Sequence, residues 1–281
     1  PDPLKVTTTT MPPKPSNPPR IIPVTVVSNE QLAPRLHRVT FTASDFADYP
    51  LDGPDEFFGL LMPRQGEQFH PFDLGDSNIR ATVANLPEET RPELRWYTIR
   101  GLDPATSTMW TDVVTHGDSG PGSRWVRRAL PGDTAGMYTC GAIWVPAPSP
   151  QLMIADASSI PALRHVLAHL QRTNPEALAL TDIIAVITDL DEVEPDFSTE
   201  WSPQVRSLTV VTTSKTLESD ATLASLRDHY SPEHGSLPRS LWACGEGSLA
   251  KTVRKFAVDE LQLSPDVIEW SPFWFHGKAR P

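Results

Sequence analysis

The chain has 281 residues, 39% of them hydrophobic and 21% charged, with a formal net charge of −11. That length suits two domains whose cores need no disulfide or metal staples, and the acidic balance excludes a general nucleic-acid binder, whose affinity comes from Lys and Arg on phosphates. The sequence holds no apolar run of about 18 residues, so no helical membrane span is expected. Cys140 and Cys244 form neither a metal-ligand pattern nor a disulfide framework, and the start lacks a basic segment followed by an apolar one; a reducing, cytoplasmic setting is the expectation.

In chain order, proline comes first. It numbers 30 residues, eight of them between Pro1 and Pro23. A segment so poor in large apolar side chains cannot offset its ordering entropy, so 1–20 is expected to form a tail or extended strap. From 21 to 146 the pattern is β. Ile22–Val27, Leu36–Thr42, Phe57–Met62, Arg95–Leu102, Met109–Val114 and Thr134–Trp144 are short runs rich in β-branched and aromatic residues, separated by Gly, Pro and Asp turns. They predict an antiparallel six-stranded barrel. One helix interrupts it, with Ser123 as N-cap and Trp125, Val126, Ala129 and Leu130 as its apolar stripe.

Pro146-Ala147-Pro148-Ser149-Pro150 reads as a stiff linker. Beyond it, in 147–281, strands at Leu152–Ala155, Asp182–Thr188, Leu208–Thr213, Leu241–Ala243 and Val267–Trp270 alternate with helices at Ile160–Gln171, Leu223–His229 and Leu249–Leu261. Such alternation predicts an α/β domain with a parallel sheet. Ligands of these sheets bind beyond the carboxyl ends of the strands, which directs attention to 156–161, 189–191, 214–216 and 244–248.

The most informative stretch is Arg95-Trp96-Tyr97-Thr98-Ile99-Arg100. An arginine fork suits a diphosphate, a tyrosine ring can stack on a planar cofactor, and a threonine hydroxyl can bond its edge. About twenty residues on, Val114-Thr115-His116-Gly117-Asp118-Ser119-Gly120-Pro121-Gly122-Ser123-Arg124-Trp125 ends a strand, turns through glycines and starts a helix. Free N–H groups at a helix start make a phosphate site. Together the two stretches point to one aromatic cofactor that carries a diphosphate. Gly117–Pro121 also resembles a serine-protease nucleophile segment, but no histidine base or disulfide set accompanies it. His165 and His169, four apart on a helix, lack a third ligand, so no metal site is assigned. The run 189–196 reads as a solvated acidic loop, or as a site for repelling phosphate or docking a basic partner. Cys244 reads equally as a small buried residue or as a neighbour of a hydride path.

At this point the sequence resembles the siderophore-interacting protein family, FAD-containing ferric-siderophore reductases of the ferredoxin-reductase-like superfamily. Arg95, Tyr97 and Thr98 match its Arg-x-Tyr-Thr signature. His116, Gly117, Gly120, Pro121, Ser123 and Trp125 match its His-Gly and Gly-Pro-Ala-Ser-x-Trp elements, with Gly122 in place of alanine. Pro131-Gly132-Asp133 follows in order. Ala155–Ala162 and Ala243–Ser248 resemble two motifs of the second domain. The resemblance spans about 22 to 278. It departs at three places where the family carries basic residues: Phe57 and Gly59 replace a His-x-Lys pair, Tyr138–Trp144 replaces a glycine-rich Gly-Pro-Arg-Gly-Ser-Phe turn, and Phe275 and His276 replace two arginines after Trp274.

The resemblance implies an FAD-binding barrel followed by a nicotinamide-binding domain. Arg95 and Ser123 would hold the diphosphate, Tyr97 and Thr98 would position the isoalloxazine, and Val114, His116, Gly120, Pro121, Gly122 and Trp125 would complete the FAD set. Asp156, Ser158, Ser159, Gly245 and Glu246 would meet NADH or NADPH. Lys251, Arg254, Trp274 and Lys278, with Arg280, would face the substrate in place of the missing cations. The implied activity is reduction of a ferric siderophore, with iron as substrate and no protein ligand to it. The alternatives are a flavoprotein that exchanges electrons with ferredoxin, a non-enzymatic siderophore carrier, and a general flavin or quinone reductase.

Overall fold

The structure is a computed structural model that describes residues 16–76, 78–117, 120–231 and 236–277. Of the amino-terminal tail, 16–20 is irregular chain and 1–15 lies outside the described residues. Seven antiparallel strands form the first sheet: β1 (Ile21–Ala33), β2 (Leu36–Thr42), β3 (Phe57–Met62), β4 (Glu93–Thr98), β5 (Gly101–Asp103), β6 (Thr108–Val114) and β7 (Thr134–Thr139). Their order is β4-β3-β7-β1-β2-β6-β5. The sheet curls around Phe41, Phe58, Met109 and Met137 but does not close into a barrel, so β4 is an edge.

The sequence predicts six strands, and the seventh comes from a break in the run Arg95–Leu102. At the break the Ile99 N–H donates to the Glu56 carbonyl and the Arg100 N–H to the Trp110 carbonyl, both at 2.9 Å. The two halves therefore pair with different neighbours, β4 with β3 and β5 with β6. The last run also ends sooner than its composition suggests, at Thr139, because the Ile143 and Trp144 N–H groups turn inward to Asp55.

Two helices attach to this sheet. α1 (Ile79–Ala84) is too short to show a period, and its one readable signal is the cap: Asn78 Oδ1 accepts from the Ala81 N–H at 2.9 Å. α2 (Pro121–Arg128) starts two residues before the expected N-cap. Proline suits the first turn because its missing N–H would have no partner there, and Gly120 takes the cap position. Ser123 Oγ instead accepts the His116 N–H at 3.2 Å, tying the preceding loop to the helix. Trp125 is buried and stacks on Phe41 with ring centroids 6.2 Å apart, which clamps α2 to the core. Leu130, expected in the apolar stripe, lies past the helix end and is 66% exposed.

The second domain is a parallel sheet of β8 (Gln151–Asp156), β9 (Thr181–Ile187), β10 (Ser207–Thr212), β11 (Ser240–Glu246) and β12 (Ile268–Trp274), in the order β10-β9-β8-β11-β12. α3 (Ile160–Thr173), α4 (Pro175–Ala179), α5 (Phe197–Trp201), α6 (Glu218–His229) and α7 (Gly247–Asp259) accompany it. α4 and α5 were not predicted, since five residues cannot display a helical period. β8, β9 and β11 are buried at every position, as expected of strands covered on both faces. After β10 the chain returns to lay β11 beside β8, so the strand order reverses between the carboxyl ends that carry Asp156 and Glu246. No helix among the described residues is long and apolar enough to cross a membrane.

Buried polar contacts join the two domains. Asp55, 2% exposed, accepts the Ile143 and Trp144 N–H groups and, from β11, the Trp242 indole N–H at 2.9 Å. His165 Nδ1 lies 2.6 Å from the Ile99 carbonyl, and burial pushes its pKa down to about 4. His169 packs edge-on to Trp144. The acidic run is not wholly a solvated loop, because Glu192 and Glu194 turn inward. Glu192 accepts the Thr188 N–H at 2.9 Å, and Glu194 meets Arg38, Arg100 and Arg164 at 3.1, 3.4 and 2.9 Å. Burial first, then the Asp112 carboxylate, pushes Glu194 up to about 7.

Candidate functional site at the domain junction

The β4 edge, the start of α2 and the end of β12 enclose a cleft of about 590 Å³. The open edge of β4 supplies Arg95, Tyr97 and Thr98, and α2 supplies Gly120, Gly122 and Ser123. Val114 and His116 line it from the end of β6 and the loop beyond. From the second domain come Ser158 beside β8, Lys215 beyond β10, and Trp274 and Phe275 at the end of β12. Most of the residues expected to hold FAD thus share one cavity, although they are up to 28 positions apart in the chain (95 to 123).

The lining has the chemistry of a site for a planar anion. No side chain among the described residues caps the first turn of α2, whose leading N–H groups thus face the cleft as donors for an anion. The Arg95 side chain is 47% exposed; its guanidinium donates to the Leu94 carbonyl at 2.6 Å and has Glu93 at 3.9 Å. Gly122 gives its space to the Tyr97 hydroxyl, which a Cβ there would meet at 2.0 Å. That hydroxyl has no hydrogen-bond partner among the described residues, and burial pushes its pKa up to about 12 against the pull of Arg95. His116 keeps an exposed face at the rim, yet desolvation of its ring and then the charge of Lys215 hold it below its ordinary value. Asp112, gripped by Arg38 through two 2.8 Å bonds, forms the floor.

Some expected residues act from behind the cavity or elsewhere. Pro121 and Trp125 start and anchor α2 and do not line the cleft. Ser159 is fully buried and bridges β8 to β11 by donating to the Cys244 carbonyl at 2.7 Å. Cys244 itself is core. Asp156, Gly245 and Glu246 gather at the switch point but beneath the surface. Lys251 and Arg254 do not reach the cleft. α7 buries Leu249, Val253, Phe256 and Ala257, which turns Lys251 outward, while Arg254 lies over the Trp270 ring. Lys278 and Arg280 lie outside the described residues.

Two cations escaped the sequence reading. Arg80, on the unexpected α1, enters the cleft over the Trp96 ring at 5.8 Å. Lys215 sits in 214–216, one of the stretches that the strand-end rule singled out, but carried no motif of its own. It lies 3.2 Å from Glu218 and 5.2 Å from the Trp274 ring centroid. At the departures, Phe57 joins the lining, and Gly59 has no space for a lysine: a Cβ there would meet Leu94 at 2.8 Å and Trp96 at 3.2 Å. Among the described residues no group of three His, Cys, Asp or Glu is placed to hold a metal ion.

Comparison with known proteins agrees with this architecture. Residues 25–142 match the family model of the siderophore-interacting FAD-binding domain, and 148–277 match that of the siderophore-interacting protein. The chain belongs to the siderophore-interacting protein family. A ferric acinetobactin reductase from Acinetobacter baumannii is 24% identical over 202 residues, which cover 71% of this chain and 66% of that protein. An uncharacterized protein of Mycobacterium tuberculosis is 29% identical over 160 residues, 54% of this chain and 53% of the relative. The match thus spans about half the length of that mycobacterial relative. A solved siderophore-interacting protein from Aeromonas hydrophila superposes with a TM-score of 0.69 at 24% identity, covering 94% of each chain. Solved reductases of lower identity share the same two-domain, ferredoxin-reductase-like fold. The chain therefore carries an FAD-binding domain joined to the α/β domain of that family.

Proposed function

We propose that the protein is a flavoenzyme that reduces Fe(III) held in a siderophore, with NADH or NADPH as electron donor. The observation that carries this reading is the single cleft shared by the Arg95-Trp96-Tyr97-Thr98 edge, the uncapped start of α2 and the switch-point side of the second domain. The N–H groups of the α2 start and the Tyr97 ring that Gly122 admits beside them fit FAD, with Arg95 and the α2 start at the diphosphate and Tyr97 and Thr98 at the ring system. Val114, His116 and Gly120 shape the walls, and Pro121 and Trp125 fix the helix. Bound flavin supplies the conversion between two-electron hydride chemistry and one-electron transfer to the metal.

Iron is the substrate in this reading, and its ligands are those of the chelate. The chain's own task is to bring the chelate near the flavin edge. Its means are Arg80, Lys215 and the aromatic faces of Phe57, Trp96 and Trp274, in place of the cations missing at Phe57, Gly59, Phe275 and His276.

The test is anaerobic mixing of the purified, yellow protein with NADH, NADPH and reduced ferredoxin in turn, followed by addition of several ferric chelates. Bleaching by a nicotinamide and re-oxidation by a chelate support the reading. Bleaching by ferredoxin alone favours the protein-donor alternative, and a colourless protein that takes up no added FAD but binds ferric chelate favours the carrier.

A further inference from the structure

A dinucleotide on a doubly wound sheet is held chiefly by its diphosphate, which takes N–H groups at a helix start beside the switch point, with help from a nearby cation. Here the Ser248 and Leu249 donors at the start of α7 already have a carboxylate of this chain, and the first turn of α3, which no described side chain caps, is closed by the burial of Ile160, Pro161 and Ala162. At α7, Glu246 accepts the Ser248 N–H at 2.7 Å and the Leu249 N–H at 3.1 Å, and its other oxygen accepts the His276 N–H at 3.2 Å. Ahead of α3, Asp156 accepts the Ser158 N–H at 2.9 Å, the Glu246 N–H at 2.7 Å and the Trp274 indole N–H at 2.9 Å. Lys215, the nearby cation, lies 3.2 Å from Glu218 and 5.2 Å from the Trp274 ring centroid.

A physical cover accompanies this internal neutralisation. Phe275 lies on the first residue of α7, so close that a Cβ at Gly247 would come 2.4 Å from its ring. The aromatic ring therefore stands over the helix start, and glycine at 247 is what admits it. A diphosphate arriving at this point would displace Phe275 and meet the Glu246 and Asp156 carboxylates instead of free N–H groups.

We infer that the switch point of this protein does not grip the donor's diphosphate: the site reads the nicotinamide half alone, and Glu246 and Phe275 are the residues that make it indifferent to the adenylate half. This rests on the proposed reductase activity. It makes a reduced nicotinamide mononucleotide as good a donor as the full dinucleotide, and the ribose 2′-phosphate of NADPH irrelevant.

The experiment uses the FAD-loaded protein and two readouts. ADP-ribose and its 2′-phosphate, which cannot react, are titrated by calorimetry, and NADH, NADPH and reduced nicotinamide mononucleotide are compared by the concentration dependence of flavin bleaching. No saturation by either ADP-ribose below about 1 mM, and apparent affinities of the three donors within about threefold, are expected. Micromolar binding of ADP-ribose, or a dinucleotide preferred about tenfold over the mononucleotide, overturns the inference. Glu246→Gln combined with Phe275→Ala keeps an acceptor for the helix cap while it opens the surface, and is expected to gain ADP-ribose affinity by about tenfold. Gly247→Ala, which drives the ring off by contact, is expected to gain in the same direction. No gain in either variant overturns the assignment to these residues. A flavin that no nicotinamide bleaches refutes the donor in the parent reading, and the calorimetric titration still decides this one.

Discussion

Asp55→Asn isolates one of the contacts that tie the two domains together. Asp55 Oδ1 accepts the Ile143 N–H at 3.1 Å and the Trp144 N–H at 3.0 Å, and Oδ2 accepts the Trp144 N–H at 3.0 Å and the Trp242 indole N–H at 2.9 Å. An asparagine keeps one oxygen for the two backbone donors and turns its amide N–H group toward the indole. Two donors then face each other in a site where Trp242 is 3% exposed. A buried donor left without an acceptor costs about 1–3 kcal/mol. Burial also raises the Asp55 carboxyl above its usual range, so loss of the charge returns part of that cost, and a net loss of about 2 kcal/mol is expected. Trp242→Phe removes the indole N–H, and the double variant should lose about 1 kcal/mol less than the sum of the two single ones. Urea midpoints, followed by both tryptophan and flavin fluorescence, give the cycle for the junction. Additivity within about 0.5 kcal/mol would mean that the indole contact does not couple the domains, and would refute the reasoning.

Arg95→Ala should abolish most FAD retention, measured as the ratio of flavin to protein absorbance, while far-ultraviolet circular dichroism stays unchanged because the side chain is half exposed; full flavin content would count against its diphosphate role. Trp125→Ala should cost about 3–5 kcal/mol in chemical denaturation, since it empties the contact with Phe41 that holds α2. Burial raises the Glu56 carboxyl from 4.5 to about 7 against hydrogen bonds from Tyr49 and Asp52, so the folded protein keeps a proton that the unfolded chain releases at about 4.5. Stability of the wild type should therefore fall relative to Glu56→Gln as pH rises from 5 to 7, by about 2 kcal/mol, and melting temperatures of the pair across that range that run parallel would contradict the burial account.

Large periodic elements were legible in the sequence because packing and pattern agree there. β9 and β11 read as strands from their buried apolar runs, and α3 from Ile160, Leu163, Val166, Leu167 and Leu170 on its inner face. What escaped was decided by single contacts. α1 hangs on the Asn78 cap, and with it went Arg80. The split between β4 and β5 is set by the Glu56 and Trp110 carbonyls, which no local pattern announces. In the candidate site, Arg95, Tyr97, Thr98, Gly122 and Ser123 were legible because their chemistry lies in two short contiguous stretches. Lys251 and Arg254 were misplaced because charge alone says nothing of the side of α7 they occupy, which the buried positions Leu249, Val253 and Phe256 decide. Lys215 could not be ranked above them without knowing that Glu218 and Trp274 hold it in the cleft.

The departures from the family pattern make physical sense as exchanges of charge for aromatic surface. At one end of the cleft, Gly59 leaves its space to Trp96, which lies beneath Arg80 and beside Phe57 and Tyr138. At the other, Gly247 leaves its space to Phe275, next to the Trp274 ring that carries Lys215. In both places a glycine admits an aromatic side chain, and a cation is retained over an aromatic face instead of projecting into solvent. A cation so placed keeps its charge but loses reach, and the neighbouring rings offer flat, weakly polar contact. Such walls discriminate by shape and ring content more than by net charge. Under the proposed function, that exchange predicts that the cleft favours a chelate with aromatic faces of its own.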